Sequence, residues 1–173
     1  LTDMVSSLLD LSRIEYGELK LNFEEINLNT FVEKYIQSIS NLSKKKEIKI
    51  IFKSNHKGTI NADLKAIERI MDNLIDNAIK YSEKGSDITI STINDSDGYI
   101  KVMIKDNGEG IADEDINHIF SRFYRTASAR ATENQGSGLG LAIVKHLVNS
   151  LNGEVGIESK PVSYTHLTLP TKA

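Results

Sequence analysis

The chain has 173 residues, of which 39% are apolar, and its formal net charge is -3 at pH 7. It is long enough to bury one sizeable hydrophobic core, with room for one domain and a short additional segment. The acidic balance argues against a general nucleic-acid-binding protein. Because the sequence contains no cysteine, disulfide frameworks and thiolate zinc sites are excluded. No apolar run reaches the roughly 20 residues that a membrane-spanning helix needs, so we expect no membrane segment in this chain.

Apolar periodicity predicts four helices and four strands. In chain order they are a helix at 1–18, a helix at 28–42, a strand at 47–53, a helix from the N-cap residue Asp63 to Tyr81, strands at 87–93 and 99–105, a helix at 141–151 and a strand at 154–159. Helices mixed with antiparallel strands in this way predict an α+β fold. We expect a two-layer sandwich, with one mixed, mostly antiparallel sheet covered by helices on one face.

The first predicted helix has one strongly apolar side and ends near Gly17. Such a short helix is not stable alone and needs a partner helix. Because the sequence begins with Leu1 inside this helical pattern, we interpret the chain as a piece of a longer protein.

The helix that ends at Tyr81 carries two carboxamides beside its predicted core stripe, which runs through Ile67, Ile70, Leu74 and Ala78. Asn73, Asn77 and Lys80 fall at i, i+4 and i+7, so they share one stripe of the helix. A buried or half-buried amide costs stability unless its carbonyl oxygen meets a donor or a cation. Mg²⁺, which takes oxygen ligands and keeps several waters, would meet this need. The alternative is that both amides bond to solvent or to their own helix.

Asp106 stands directly after the predicted strand 99–105 and is followed by Gly108 and Gly110. A carboxylate at a strand end can accept a hydrogen bond from an exocyclic amine while bare glycine backbone approaches a flat ring. It would favour adenine over guanine, because guanine presents a carbonyl at the corresponding position. The alternative is an ordinary Asp-Asn-Gly turn.

Gly136, Gly138 and Gly140 open a helix, where free backbone N–H groups and the positive helix end can bind phosphate. This pattern alone is weak, since it lacks the preceding strand of a dinucleotide fold and the Gly-Lys-Ser/Thr of a P-loop. Residues 111–135 form a long irregular stretch, which in a compact domain is usually a functional lid or a disordered loop. Arginines on such a lid can reach a terminal phosphate on closure.

The four histidines do not predict a catalytic site. His56 lies in a polar turn, His118 at the start of the irregular stretch, His146 on a helix and His166 near the end of the chain. No Ser/His/Asp arrangement or HExxH signature is present, and we interpret all four as surface residues.

The last 13 residues, 161–173, differ from the rest in composition. Both prolines of the chain lie after residue 160, and all eleven glycines lie before it. Alternating Thr and Leu from Thr165 to Leu169 are compatible with a final strand. They are equally compatible with a foreign extension.

Four motifs, taken in order, resemble those of the ATP-binding catalytic domain of sensor histidine kinases. This domain belongs to the wider group that includes gyrase, MutL and heat-shock chaperone ATPases. The motifs are the Asn motif at 73–82, a first glycine motif at 106–111, a phenylalanine motif at 119–125 and a second glycine motif at 136–141. Four ordered motifs are far more specific than any one of them.

The segment at 8–15, Leu-Leu-Asp-Leu-Ser-Arg-Ile-Glu, resembles the end of the second dimerisation helix of the histidine kinases, which their hydrolysing relatives lack. The resemblance therefore implies a dimerisation helix ending within residues 1–20, an ATP-binding catalytic domain at 21–160, and an atypical, non-native tail at 161–173.

The resemblance implies roles for the Asn motif. Asn77, with Asn73, would hold Mg²⁺ that bridges the phosphates of ATP. Lys80 would contact phosphate, and Tyr81 would pack near the adenine.

It also implies roles for the other three motifs. Asp106 would accept from the adenine amine, and Arg122 or Arg125 would meet the γ-phosphate, with Arg125 favoured by its motif position. The other residues implied in nucleotide binding are Gly108, Gly110, Ile111, Phe120, Gly136, Ser137, Gly138, Leu139 and Gly140.

The implied reaction is phosphoryl transfer from Mg-ATP to a histidine, catalysed by positioning and charge neutralisation through Lys80, Arg122 and Arg125. The implied partners are the dimerisation and phosphoacceptor domain of a homodimeric parent kinase and a downstream response regulator. The implied location is the cytoplasm, with the parent either free there or anchored in the cell membrane.

Two departures from the family pattern matter. No histidine is followed by Glu/Asp-x-x-Thr-Pro, so we expect the acceptor histidine outside this chain. The family's domain usually ends on Gly-x-Gly-Ser/Thr-x-Phe, whereas no glycine follows Gly156, which favours a foreign tail. Two other functions stay open: an ATP-sensing module that transfers nothing, and an ATP-hydrolysing clamp of the gyrase or MutL type.

Overall fold

The computed structural model describes residues 20–55, 58–95, 98–131, 136–160 and 162–170, with residues 5, 8, 9, 11–13 and 16 before them. Within residues 20–170, the described parts contain seven strands and five helices. They are β1 (Phe23–Asn27), α1 (Leu28–Lys45), β2 (Lys49–Asn55), β3 (Thr59–Asp63), α2 (Leu64–Tyr81), β4 (Asp87–Asn94), β5 (Tyr99–Lys105), α3 (Asp113–Ile116), α4 (Ala127–Ala131), α5 (Gly140–Ser150), β6 (Glu154–Lys160) and β7 (Val162–Pro170).

Five strands form one mixed sheet in the order β2-β4-β5-β7-β6. β2 runs parallel to β4, and the other neighbouring pairs are antiparallel, with Ile90 opposite Ile104 in the β4–β5 pair. Every second residue of β4 and β5 is buried, as expected when helices cover one face of a sheet. α2 packs against α5 and α1 against β2. The predicted α+β sandwich is therefore confirmed.

α2 is the central helix of the helical layer. Its N-cap residue Asp63 accepts a hydrogen bond from the backbone N–H of Ala66 at 2.8 Å, so the predicted start of this helix is confirmed. The predicted core stripe is also confirmed, since each member is no more than 4% exposed. Its members are Ile67, Ile70, Leu74 and Ala78.

The remaining predicted elements are present with boundaries shifted by a few residues, but two strands, β1 and β3, were not predicted, and β7 was only one of two interpretations of the last residues. β1 pairs with β3 as a separate two-stranded antiparallel sheet. In β1 only Ile26 is buried, because Glu24 and Glu25 occupy its middle. A strand with so few apolar residues gives no clear alternation, and its partner supplies the hydrogen bonds that define it.

Among the described residues of the N-terminal segment, Leu11 is the one whose side chain is buried in the core. Among its described residues, 5, 8, 9 and 11–13 are helical, and Leu11 lies in the core at 1% exposure. Val5, Leu8 and Leu9 are 45–54% exposed. The predicted end of this helix at Gly17 lies outside the described residues. Its assignment to a dimerisation helix stays a prediction.

Residues 162–170 form β7, which lies between β5 and β6 in the sheet. Leu169 is buried in the core at 1% exposure. The boundary predicted at residue 160 therefore does not separate two structural units. Main-chain hydrogen bonds to strands on both sides admit any segment with enough strand propensity, so the foreign origin of these residues stays a prediction. Among the described residues, no helix is both long and apolar enough to span a membrane.

Candidate nucleotide-binding site

A cavity of about 660 Å³ opens between α2, the end of β5, the segment 111–131 and the start of α5. Thirteen of the sixteen predicted site residues line it. They are Asn73, Asn77, Lys80, Tyr81, Asp106, Gly108, Gly110, Ile111, Arg125, Gly136, Ser137, Gly138 and Gly140. Residues from all four motifs thus meet around one cavity, although the motifs lie far apart in the sequence.

The amide of Asn73 is held in a defined orientation. Its Nδ2 atom donates to the backbone oxygen of Arg69 at 2.7 Å. Its Oδ1 atom faces the start of α5, where a Cβ atom added to Gly140 would lie 2.8 Å away. The nitrogen of this side chain therefore bonds to its own helix, as one alternative expected. The oxygen lies beside Gly140, and Asn73, Gly140 and Asn77, one turn further along α2, all line the cavity.

Lys80 is paired with Asp76, a cavity residue that the sequence prediction missed. The Nζ atom of Lys80 lies 2.5 Å from Oδ2 of Asp76, and their side chains are 36% and 49% exposed. An exposed i, i+4 pair contributes little to stability. Its main consequence is positional, because it holds the ammonium group at the cavity edge. The i+3 spacing from Asn73 to Asp76 on the same stripe was the signal available in the sequence.

Asp106 follows the last residue of β5 and is half-buried. Its Oδ1 atom accepts from the backbone N–H of Gly108 at 2.9 Å. Burial raises the pKa of the Asp106 carboxyl, and the Gly108 hydrogen bond opposes this rise. A Cβ atom at Gly108 would lie 2.9 Å from both Asp106 Oδ1 and the backbone oxygen of Tyr81. The first glycine motif therefore brings bare backbone against both the carboxylate and the end of α2.

The segment 111–131, which was predicted to be irregular, contains α3 and α4 and is tied to the domain at its start. The backbone N–H of Ile111 donates to Ser159 Oγ at 2.6 Å. Further along, the hydroxyl of Tyr124 donates to a carboxylate oxygen of Asp115. The first bond holds the residues before α3 to β6, and the second joins α3 to the residues that follow it. Residues 132–135, the rest of the predicted lid, lie outside the described residues.

Arg125 enters the cavity beside α4. Its Nη2 atom donates to the backbone oxygen of Ala129, and its own backbone oxygen accepts from Arg130 Nε at 3.0 Å. Ala129 and Thr126 also line the cavity. No sequence signal indicated these two residues, because a helix of five residues is too short to show periodicity.

Gly138 joins the second glycine motif to the lid. It has φ 71°, and its backbone oxygen accepts from the N–H of Phe123 at 2.9 Å. A Cβ atom at Gly138 would lie 2.8 Å from the backbone carbon of Phe123. Both the left-handed backbone and this close approach require glycine here. The contact holds the lid next to the loop that precedes α5.

Three predicted site residues do not line the cavity. Arg122 is exposed and lies near His146, whose pKa is lowered by burial and by the charges of Arg122 and Lys145. The ring of Phe120 faces the Lys145 ammonium group, 5.9 Å from the ring centroid. Leu139 is fully buried in the core, so its side chain anchors the glycine loop to the core. In the irregular segment, spacing alone could not tell which side chains point inward.

The histidines whose side chains the structure describes, His118 and His146, do not line the cavity. The ring of His118 packs against Tyr124, with centroids 5.6 Å apart. His56 and the side chain of His166 lie outside the described parts. His118 is exposed, as expected for a surface residue, whereas His146 is half-buried.

The rest of the cavity wall includes apolar residues that sequence reasoning did not assign. They are Leu74, Ala78, Ile104, Ile119, Leu141 and Ile157. Apolar walls with a few convergent polar groups are typical of small-molecule sites. Here amide oxygens and an ammonium group lie along α2, a carboxylate lies at the end of β5, and an arginine and a glycine loop lie opposite. This arrangement suits a flat polar ring joined to an anionic group and a hard cation.

Comparisons with known proteins point to the same kind of site, an ATP-binding one. The family of histidine kinase-, DNA gyrase B- and HSP90-like ATPases matches residues 62–173. The sensor-like histidine kinase SenX3 of Mycobacterium tuberculosis is 34% identical over all of this chain and 42% of its own length. The sensor histidine kinase WalK of Bacillus subtilis is 33% identical over 98% of this chain and 28% of its own length.

A solved structure agrees as well. The Acinetobacter baumannii histidine kinase AdeS has a TM-score of 0.79 and 27% identity, and the match covers 96% of this chain and 76% of that chain. The chain spans less than half the length of the two curated relatives, SenX3 and WalK.

Proposed function

Because the chain belongs to the family of histidine kinase-, DNA gyrase B- and HSP90-like ATPases, and within it to the sensor histidine kinases, we propose that it transfers the γ-phosphoryl group of Mg-ATP to a histidine outside its own sequence. The observation that carries this proposal is the convergence of Asn73, Asn77, Asp106 and Arg125 on one cavity. These are the groups that bind the base, the metal and the phosphates in the proposed reaction.

Asp106 is proposed to recognise the adenine. Its half-buried carboxylate has one oxygen occupied by the N–H of Gly108, which leaves the other oxygen to accept from an exocyclic amine. A half-desolvated carboxylate gives a charged hydrogen bond of useful strength. Tyr81 and the bare backbone of Gly108 are proposed to flank the ring, and Gly110 and Ile111 to close the base pocket.

Asn73 and Asn77 are proposed to hold Mg²⁺. The residues fit this ion, because carboxamide oxygens are hard ligands, both asparagines line the cavity, and it is Nδ2 of Asn73, not Oδ1, that bonds to the Arg69 carbonyl. Bound Mg²⁺ would neutralise charge on the phosphates during transfer. Lys80, held by Asp76 at the cavity edge, would exchange that carboxylate for a phosphate oxygen.

Arg125 is proposed to bind the γ-phosphate, since it is the lid arginine that lines the cavity. Gly136, Ser137 and Gly138 would present backbone N–H groups to the phosphate chain, with the positive end of α5 behind them. Arg122, which lies outside the cavity, is not needed for this step. Catalysis would thus consist of orientation and charge stabilisation.

The acceptor is proposed to be a histidine in the dimerisation domain of the parent kinase. His118 and His146 lie outside the cavity wall, which supports an acceptor on another domain. The parent is proposed to be a homodimer that passes the phosphoryl group to a response regulator. The alternatives are an ATP-sensing module without transfer and an ATP-hydrolysing clamp.

Transfer in trans tests the proposal. The chain is incubated with Mg²⁺, labelled ATP and a histidine-bearing dimerisation domain from a kinase of the same family, and acid-labile phosphate on that domain is measured. We expect slow labelling that Arg125→Ala reduces at least about tenfold and that the matched control Arg122→Ala changes little. ATP binding without labelling would favour the sensing module, and rapid phosphate release would favour the clamp.

A further inference from the structure

One lysine outside the four motifs contacts the end of the Asn-bearing helix. Lys46, the residue after α1, donates from Nζ to the backbone oxygens of Ile79 at 2.6 Å and Lys80 at 2.9 Å. It is partly buried, whereas its neighbours Lys44 and Lys45 are exposed. One member of the basic run 44–46 is therefore directed inward, and it binds the last turn of α2.

This contact supplies hydrogen-bond donors to carbonyl groups that the end of a helix leaves unpaired. The last carbonyl groups of a helix lack intrahelical partners, and the C-terminal end of a helix is electronegative. In α2 the backbone N–H of Ser82 bonds to the oxygen of Ala78 at 3.0 Å. The ammonium group of Lys46 takes the next two oxygens along the helix. A cation at this end is stabilising, and two acceptors fix its position.

The last turn of α2 carries two proposed nucleotide contacts. Lys80 and Tyr81 lie in this turn, and both residues line the cavity. The backbone oxygen of Tyr81 closely approaches Gly108, and the next residue, Ser82, forms an isolated bridge with Gly108. Any fraying of this turn would therefore move the phosphate contact, the ring contact and the glycine motif together.

Lys46 is itself held from the other side. Its backbone N–H donates to the backbone oxygen of Ser43 at 3.2 Å, and the backbone N–H of Ile48 donates to the same oxygen at 2.9 Å. Ile48 is 4% exposed and anchors the turn between α1 and β2 in the core. The ammonium group therefore reaches α2 from a rigid base.

We propose that Lys46 is a positioning residue of the nucleotide site, which orders Lys80, Tyr81 and Gly108 by binding the last turn of α2. The proposal rests on the function proposed above. Because Lys46 does not line the cavity, its loss should weaken nucleotide binding through the helix end while leaving the chemistry of the bound complex unchanged.

The test compares Lys46→Gln, Lys46→Met and Lys46→Arg with the matched control Lys45→Gln. The Kd for Mg-ATP is measured by calorimetric titration, and the exchange of the Ser82 amide proton is measured without nucleotide. We expect Lys46→Gln and Lys46→Met to raise the Kd roughly five- to tenfold, the range for a lost cation at a helix end, and to speed Ser82 exchange. Lys46→Arg should recover most of the affinity, and Lys45→Gln should stay within about twofold of the wild type.

A merely structural role is distinguished by two further measurements. Tyr35→Phe removes the Tyr35–Asp72 hydrogen bond of 2.9 Å, so it weakens the contact of α1 with α2 away from the last turn and should lower the melting temperature with little change in Kd. In the transfer assay, Lys46→Gln should raise the KM for ATP and leave kcat within about twofold.

The outcomes separate the two proposals. If the wild-type chain binds Mg-ATP and both Lys46→Gln and Lys46→Met bind it equally well, the positioning role is wrong and the proposed function stands. If Tyr35→Phe raises the Kd as much as Lys46→Gln does at equal loss of stability, the role is also wrong. If the wild-type chain does not bind Mg-ATP, the proposed function fails first.

Discussion

Gly140 on α5 lies so close to the side chain of Asn73 on α2 that any larger residue would displace the Asn73 amide. A Cβ atom at Gly140 would lie 2.8 Å from Oδ1 of Asn73, closer than a carbon and an oxygen can approach without displacement. The first residue of α5 is thus matched to the amide on α2. The glycine is needed for space, since Gly140 does not have a positive φ.

This contact predicts the effect of Gly140→Ala. Alanine is a better helix former than glycine by about 1 kcal/mol, so on propensity alone the substitution would raise the melting temperature. We expect it to fall instead, because the methyl group pushes the Asn73 oxygen away, and we expect the Kd for Mg-ATP to rise at least about tenfold. Differential scanning calorimetry and titration measure both effects.

Gly136→Ala is the matched control for stability. A Cβ atom at Gly136 would have no neighbour within 4 Å, so the melting temperature should stay the same or rise slightly. A higher melting temperature for Gly140→Ala would show that α2 and α5 are less closely packed than described here.

A second prediction concerns Asp106 and the base. Asp106→Ala should weaken Mg-ATP binding roughly tenfold to a hundredfold, the range for losing a charged hydrogen bond in a pocket, while the chain stays folded. Asp113→Ala removes an exposed carboxylate at the start of α3 and should leave the Kd unchanged. Calorimetric titration is the measurement, and an unchanged Kd in Asp106→Ala would remove the adenine assignment.

A third prediction follows from the pKa of Asp106, which burial raises in the folded chain. A carboxyl whose pKa is higher in the folded than in the unfolded state destabilises the fold when ionised. This cost is present above the folded pKa and disappears as the pH falls below the unfolded pKa. Asp106→Asn keeps an oxygen for the Gly108 N–H, so at neutral pH it should raise the melting temperature while lowering ATP affinity.

The pH dependence supplies the check. The difference in melting temperature between Asp106→Asn and the wild type should shrink as the pH is lowered from neutral through the acidic range. A difference that stays constant with pH would mean that the ionised carboxylate costs nothing in the folded chain.

The sequence predicted those parts that repeat a pattern locally. α2, β4 and β5 were recognised because their buried residues recur at helical or alternating spacing over more than one turn or pleat. Asn73, Asn77 and Lys80 were placed on one stripe of α2 for the same reason, whereas the roles of the glycine-motif residues came from the resemblance to the histidine kinases. Asp106 needed only the strand that precedes it to be singled out.

The missed parts depend on contacts between distant segments. β1 becomes a strand through its pairing with β3, and Lys46 differs from Lys45 only in the helix end that it reaches. Arg122 and Arg125 stand three residues apart in a segment without periodicity, so side-chain direction could not be read from spacing. These features are set by tertiary packing, which overrides local propensity.

A fourth prediction concerns residues 161–173. In this chain β6 pairs with β7 and lies at the edge of the sheet, so deleting residues 161–173 should lower the melting temperature by several degrees or more. If the tail lay outside the domain, as interpreted from the sequence, the melting temperature would instead stay nearly unchanged. Thermal unfolding of the full and shortened chains decides between them.

The foreign origin of the tail is a separate question with a separate test. If residues 161–173 are foreign, sequencing of the source gene should find a different segment after residue 160, with the Gly-x-Gly-Ser/Thr-x-Phe pattern of the family. A chain carrying that segment should melt higher than the present one, because its strand would be matched to the core.

The last prediction follows from the missing acceptor and the intact nucleotide motifs. Incubated alone with Mg²⁺ and labelled ATP, the chain should bind nucleotide but incorporate no acid-labile phosphate. No histidine stands in the acceptor pattern, and the described side chains of His118 and His146 lie outside the cavity. Labelling of a dimerisation domain in trans should be slow, since no tether raises its effective concentration. Phosphohistidine located by mass spectrometry at any of the four histidines would place the acceptor inside this chain and contradict the proposal that the acceptor lies on another domain.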